Sequence, residues 1–327
     1  MNNIGILILK ALRTIYNKSF VNKHLSNLKF EQDPEKSSKI IKELLMDNSP
    51  CMIARFGSTE LNVLLNYMSI KKNEKNVLKY IKGDLFDWWW NENIMNQMQN
   101  WSGFFPPTKE KLSIFCEQMI EDIKEIDILG SWISNERYIE DKVTHVNKVS
   151  LINLEPYISA NPWSIALKGK RVLVVHPFAP LMEKQYQNRK YLFTNPDVLP
   201  DFELQTITAV QSLGGENSEF QNWFEALEFM KNEIDNRDYD ICLIGCGAYG
   251  FPLAAHVKRS GKKAVHLGGA LQLIFGIKGN RWEAIDYASN WGLPEGFYLD
   301  LMNEYWVKPS NNLKPKNAES VEGACYW

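Results

Sequence analysis

Apolar residues recur at helical spacing in several parts of the chain. The first such stretch, residues 1–25, places basic side chains between its apolar positions and is typical of an amphipathic helix. A second helix is predicted between Asp33, a suitable N-cap, and Pro50. A third is predicted from about Glu60, and another follows Thr108, whose hydroxyl can cap it.

Short, continuous apolar runs separate these helical patterns and predict buried parallel strands. They lie at residues 51–57, 127–132, 150–154, 171–176, 239–244 and 263–267. Helices that alternate with buried strands indicate an α/β fold: a Rossmann-like, mostly parallel sheet flanked by helices and preceded by N-terminal helices. The expected organisation is an N-terminal helical segment (1–50), an α/β domain (51–308) and an extended C-terminal tail (309–327).

Composition narrows the class of protein. The 327 residues are 45% hydrophobic, which excludes a disordered chain, and the net charge of −2 argues against a nucleic-acid-binding protein. Five scattered cysteines without metal-site spacing favour a reducing, cytoplasmic location. No stretch approaches the length of a membrane span. The basic N-terminal helix is suited to peripheral contact with an anionic membrane face, and the alternative is that it packs on its own domain.

A glycine-rich turn follows the strand predicted at 239–244. Gly245, Gly247 and Gly250 match the pattern G-x-G-x-x-G and open a helix, so their backbone could cradle a phosphate. The alternative is tight packing of strand against helix. An NAD site is less consistent with the sequence, because His266 stands where an acidic residue would bind the ribose.

A second candidate segment follows the first predicted strand. Arg55 supplies a cation, Gly57 permits a tight turn, and Ser58 and Glu60 lie at the start of the next helix. Ligands of open α/β sheets bind at such strand ends. The alternative is that Glu60 complements the helix dipole and pairs with Arg55 on the surface.

Two histidines also stand at strand ends. His176 and His266 could each act as a general base or bind a phosphate, and Arg189 follows the first of them. A structural histidine is the alternative. A later loop combines two glycines with two basic residues and a tryptophan, as expected for a loop that closes over an anion or for a solvated basic turn: Gly268, Gly269, Lys278, Arg281 and Trp282.

Residues 55–60 and 240–269 together resemble the bacterial GT-D-type glycosyltransferases, and more closely their relatives found with surface-polysaccharide genes. In that family, an Arg-[aromatic or apolar]-Gly-Asp-x-Glu segment ends an early strand and binds a metal and the diphosphate of a nucleotide sugar. Here Ser58 replaces the aspartate. This departure implies that Glu60 and Ser58 hold Mn²⁺ or Mg²⁺ less tightly, so that the metal is bound mostly through the diphosphate. The alternative is that charge neutralisation has passed to Arg55, Arg189, Lys278 or Arg281.

The resemblance implies an enzyme that moves a sugar from a nucleotide-diphosphate donor to a hydroxyl of a surface glycan or lipid-linked glycan. Glu60 and His176 are the expected catalytic residues, with His176 as the leading base and Glu60 as the metal-free alternative. Trp88 and Trp282 are expected to line the acceptor cleft. The remaining candidates are expected to bind the donor: Arg55, Gly57, Ser58, Arg189, Gly245, Gly247, Gly250, His266, Gly268, Gly269, Lys278 and Arg281.

Two other classes of function remain open from the sequence. The glycine-rich turn is compatible with an NAD- or nucleotide-dependent oxidoreductase. The loss of the aspartate at Ser58 and the 11 tryptophans are compatible with a glycan-binding or assembly protein that has no catalytic activity.

Overall fold

Seven parallel strands form one sheet at the centre of the computed structural model. Their order across the sheet is β3-β2-β1-β7-β6-β4-β5. The structure describes residues 3–20, 28–213, 219–310, 313–315, 318–320 and 323–327. The strands are β1 (Cys51–Ala54), β2 (Ile128–Ser131), β3 (Asn147–Ser150), β4 (Arg171–His176), β5 (Glu203–Thr208), β6 (Ile241–Ile244) and β7 (Lys263–His266).

Helices cover both faces of the sheet, which confirms the predicted Rossmann-like α/β class. The longer ones are α1 (Asn3–Phe20), α2 (Pro34–Met46), α3 (Ser58–Lys72), α4 (Val77–Lys82), α5 (Glu92–Asn100), α6 (Lys109–Asp122), α7 (Ala179–Gln187), α9 (Trp223–Asp235) and α10 (Gly250–Arg259). The shorter ones are α8 (Arg189–Leu192), α11 (Leu271–Ile274), α12 (Asn280–Glu283) and α13 (Phe297–Leu301). No described helix is both long and apolar enough to cross a bilayer.

The central strands read as continuous apolar runs because both of their faces are buried. In β1, Met52 and Ala54 pack in the layer with α3 and α10, whereas Cys51 and Ile53 pack in the opposite layer with α2. The predicted helix starts follow the expected capping chemistry. The Asp33 side chain accepts from the backbone N–H of the third residue of its helix, and Thr108 does the same for α6.

One strand of the structure was not predicted, one predicted strand is shifted, and one predicted helix extends beyond the described residues. The edge strand β5 was not predicted, because four of its six residues are polar and its two apolar residues, Leu204 and Ile207, do not alternate with them. The predicted strand at 150–154 lies instead at β3, and a 3₁₀ turn follows it. The first predicted helix ends at Phe20, and residues 21–25 of that prediction lie outside the described residues.

The connections that leave the strands create crevices at one edge of the sheet. The helices that follow β1 and β6 pack in one layer, and those that follow β7 and β4 pack in the other. The strands β1, β7, β6 and β4 are consecutive in the sheet. The chain therefore turns toward opposite faces of the sheet after any two neighbouring strands of this set. Ligands of open α/β sheets bind in crevices of this kind, outside the carboxyl ends of the strands.

A carboxyl group lies among aromatic rings just beyond the β3 edge. Glu155 accepts hydrogen bonds from the hydroxyls of Tyr157 (2.5 Å) and Tyr298 (3.0 Å). Burial raises the pKa of Glu155 from 4.5 to about 7, and the two hydroxyls oppose that shift only in part. The folded state therefore favours the protonated acid, whereas the unfolded state releases the proton near its ordinary pKa.

The Glu155 contribution to stability is expected to be lost as pH rises. It is fully present below pH 4.5, declines between pH 4.5 and about 7, and is absent above that range. Urea unfolding of wild type and Glu155→Gln across this range measures it, since Gln keeps the acceptor and does not titrate. The difference between the two proteins also cancels the opposite pH dependence of the buried histidines. Parallel curves for the two proteins would contradict the prediction.

Candidate active site

A cleft opens at the carboxyl ends of the strands, where the sheet topology places the crevices. Eleven of the residues predicted for the site line it: Arg55, Gly57, Ser58, Glu60, His176, Gly245, Gly247, His266, Gly268, Gly269 and Arg281. The remainder of the wall comes mainly from the loops after α5, β2 and β5, and from the last two residues of the sequence.

The segment after β1 alternates between cleft and core. Arg55 lies at the cleft, whereas Phe56 is fully buried and stacks on Phe251 of α10 (ring centroids 5.1 Å). Gly57 then caps α3. The Glu60 carboxylate folds back so closely that a methyl group at Gly57 would overlap it. Glycine at position 57 therefore leaves the space that the carboxylate occupies.

Arg55 and Glu60 provide opposite charges within the cleft. The Arg55 guanidinium lies 5.1 Å from the ring centroid of Trp132, which favours the cation through its π face. Burial lowers the pKa of Arg55, and the charge of Glu60 opposes that shift. Within the described part of the chain, neither side chain makes a hydrogen bond or a salt bridge. Both groups are therefore available to a ligand.

The two strand-end histidines are neutral and present different ring atoms. Burial lowers the pKa of each to about 3, and the nearby Arg55 adds to the shift at His266. His176 Nδ1 accepts from the backbone N–H of Phe178 (2.9 Å), so its proton resides on Nε2. His266 Nδ1 lies 3.3 Å from the carbonyl oxygen of Ile244, so its proton resides on Nδ1. His176 thus presents a donor, and His266 an acceptor.

Close packing accounts for the glycines of the turn after β6. A methyl group at Gly245 would overlap the carbonyl oxygen of Gly268 and approach His176 to 2.9 Å, and one at Gly250 would overlap the ring of His266. The N–H of Ala248 donates to the carbonyl of Ser102 (3.2 Å) and is not free for a phosphate. Close packing therefore accounts for Gly245 and Gly250, and phosphate binding by the turn stays a prediction.

The C-terminal segment closes one side of the cleft. The carbonyl of Tyr326 accepts from Gln272 Nε2 (3.1 Å), and its ring leaves no space for a side chain at Gly269. Arg281 lies over the Tyr326 ring, 5.0 Å from its centroid. Residues far apart in the sequence thus hold the second cleft arginine in place.

Five predicted residues lie outside the cleft lining. Arg189 forms a salt bridge with Asp201 on the surface, and Trp88 packs on Tyr80. Trp282 is 2% exposed and belongs to the core, so it cannot act as an open stacking platform. Lys278 lies in a segment whose backbone pairs with Val307, and Gly250 lies beneath the cleft against the His266 ring.

Sequence reasoning missed several aromatic residues of the cleft, namely Trp101, Trp132, Tyr249, Tyr326 and Trp327. Trp132 directly follows β2, and the strand-end rule applied to Arg55 would also have found it. Its indole N–H donates to the carbonyl of Phe56 (2.9 Å), which joins the ends of β1 and β2. Glu136 fixes the same loop by accepting from the N–H groups of Trp132 and Ile133.

Comparison with protein families identifies the domain that carries this cleft. A model of the GT-D fold-like domain matches residues 33–274, about three quarters of the chain. The chain belongs to the GT-D-like family. This confirms the predicted resemblance to GT-D-type glycosyltransferases. The matched segment holds the whole sheet of the GT-D-like domain, whereas Arg281 and Tyr326 lie beyond it. Neither the curated proteins nor the solved structures yielded a match.

The donor set of this GT-D-like domain does not fit a divalent cation held by the protein. Ser58 and Glu60 offer one hydroxyl and one carboxylate, whereas Mg²⁺ and Mn²⁺ favour several charged oxygens. Among the described residues, no group of three or more His, Cys, Asp or Glu side chains could hold a metal. The neighbouring charge is the guanidinium of Arg55, which repels a cation.

Alanine substitutions of two glycines are expected to have different effects on stability. Gly57→Ala meets the mobile end of Glu60 and has a permissive φ of −73°, so the carboxylate shifts and stability changes by less than about 0.5 kcal/mol. Gly250→Ala meets a buried ring and is expected to cost roughly 1–3 kcal/mol. Urea unfolding of both variants measures the contrast. Equal losses would mean that the Glu60 carboxylate is packed rigidly.

Proposed function

We propose that the chain is a glycosyltransferase that moves a sugar from a nucleotide-diphosphate donor to a hydroxyl of a glycan acceptor. The observation that carries the proposal is the presence of both Arg55 and Glu60 in the cleft of a GT-D-like domain. Transfer requires a positive group for the departing diphosphate and a base for the acceptor hydroxyl. Arg55 supplies the positive group and Glu60 supplies the base, and among the described residues neither side chain is engaged in a hydrogen bond or a salt bridge.

Arg55 and Arg281 are the diphosphate ligands in this proposal. A guanidinium presents paired N–H donors that match phosphate oxygens, and partial burial strengthens their attraction. Both arginines line the cleft, and the charge of Arg281 lowers the pKa of Arg55. A diphosphate bound between them would relieve that repulsion.

Glu60 is the base in this proposal, in place of His176. The acceptor hydroxyl attacks the anomeric carbon, the bond from that carbon to the diphosphate oxygen breaks, and the hydroxyl proton passes to Glu60. His176 is poorly suited to this step, because its pKa is about 3 and its Nδ1 already accepts from Phe178. Its Nε2–H can instead donate to an oxygen of the substrate.

The aromatic residues of the cleft support binding of flat or ring-shaped groups. Trp101 is 39% exposed, and the half-buried Trp132 lines the same cleft, whereas Trp327 is only 6% exposed and belongs to the core. Sugars and nucleotide bases present apolar faces that pack on such rings. Trp101 and Trp132 replace Trp88 and Trp282 as the proposed contacts of donor base or acceptor.

A nicotinamide oxidoreductase receives no support from the site. β7 ends at His266, and the residues after it offer no carboxylate for a ribose. Because the glycine-rich turn is occupied by packing contacts, its likeness to a dinucleotide fingerprint carries little weight.

A thermal-shift panel of UDP, GDP, CMP, their sugar conjugates, NAD and oligosaccharides tests the donor class, with EDTA or Mn²⁺ in parallel. A ligand at about 100 times its Kd raises the free energy of unfolding by roughly 2.7 kcal/mol. Stabilisation by one nucleotide diphosphate, equal in EDTA and in Mn²⁺, supports the proposal. Stabilisation by NAD alone, or by oligosaccharides with no nucleotide effect, would instead favour an oxidoreductase or a glycan-binding protein.

Glu60→Gln is expected to reduce turnover of the donor identified in that panel by at least about tenfold, because the amide cannot take up the hydroxyl proton. The melting temperature and donor affinity are expected to change little. Glu110→Gln is the matched control, since Glu110 also lies in the first turn of its helix but is exposed on α6. Full activity of the Glu60 variant would remove that residue from the mechanism.

A further inference from the structure

The helix α1 presents an apolar face to solvent. Five large apolar side chains are exposed by 43–68%: Ile4, Leu7, Ile8, Leu12 and Ile15. At 100° per residue they fall within an arc of about 140° on one side of the helix. A helix that merely covers its own domain normally shows the reverse pattern, with its apolar side inward.

The orientation of α1 is fixed by contacts on its opposite side. Leu9 is buried against the body of the protein. Arg13 donates to the carbonyl of Leu85 (3.0 Å) and lies 4.8 Å from the ring centroid of Tyr80. Because these contacts hold the inner face of α1 against the protein, its apolar face is directed to solvent. The sequence left two alternatives for this helix, namely membrane contact and packing on its own domain. Both are possible at once, because the helix packs through one face and exposes the other.

The patch extends beyond α1. Its neighbour α4 exposes Val77 (45%) and Leu78 (69%). The two helices together hold seven of the fifteen large hydrophobic side chains that are exposed in the described chain. Exposed apolar residues are usually scattered, and clustering on adjacent helices marks an interaction surface.

Charge identifies the partner that fits this surface. The first 30 residues contain five Lys or Arg and no Asp or Glu, whereas the whole chain has a net charge of −2. Two copies that met through α1 would bring together basic segments without an acidic counterpart. An anionic lipid surface offers both apolar depth and negative headgroups.

We propose that α1 and the start of α4 dock the protein on an anionic lipid bilayer, with α1 lying in the plane of the interface. The exposed apolar side chains enter the boundary between headgroups and acyl chains. Lys10 and Lys18 then lie near the anionic headgroups. This binding is independent of the proposed sugar transfer, since none of these residues lines the cleft.

Vesicle co-sedimentation of the full chain tests the proposal. Wild type is expected to sediment with vesicles of about 70 mol% phosphatidylcholine and about 30 mol% phosphatidylglycerol, and not with pure phosphatidylcholine. Raising NaCl from about 50 mM to about 500 mM is expected to release it, because the Debye length shortens. Equal binding to both kinds of vesicle, or to neither, would overturn the proposal.

The double variant Ile8→Glu, Ile15→Glu is expected to lower the sedimented fraction by about fivefold or more, since charges cannot enter the interface. The matched control is Ile114→Glu, Ile285→Glu, which introduces the same charge at positions of similar exposure outside α1 and α4. Unchanged melting temperatures show that both variants fold. Unaltered binding by the first variant, or a wild-type dimer that this variant dissociates, would overturn the lipid assignment.

Discussion

The cleft depends on the close packing of backbone around two buried imidazole rings. Gly245 fits between the carbonyl of Gly268 and the ring of His176, and Gly250 lies against the ring of His266. These contacts leave no space for a methyl group, so they fix the ends of β4, β6 and β7 relative to one another. Arg55 rests against the same Gly268 backbone and thereby takes its position from this packing.

The sequence predicted the part of the site that parallel-sheet geometry controls. Arg55, Glu60, His176 and His266 were identified because each lies at or just after a buried apolar run, and parallel strands end at the same edge of a sheet. The sheet class followed from the same runs. The family match bears out the fold and the glycosyltransferase type, while donor, acceptor and location remain predictions.

Other parts of the site depend on information that local pattern does not contain. Arg189 and Arg281 are both basic residues that come after strand-end segments, yet Arg189 pairs with a surface aspartate, whereas Arg281 reaches the cleft beside Tyr326. The exposed tryptophans could not be separated from buried Trp282, since aromatic residues serve both roles. The loop after β5 was missed together with its strand.

The strand order also determines when the two walls of the cleft meet during synthesis. Cys51 in β1 pairs with Lys263 in β7, roughly 210 positions later, so this contact has a high sequence separation. In the sheet, β7 lies between β1 and β6. Until β7 leaves the ribosome, the edges of β1 and β6 that face this position are unpaired. Unpaired strand edges recruit other chains. The central position of the last strand thus exposes the nascent protein to mispairing for most of its translation.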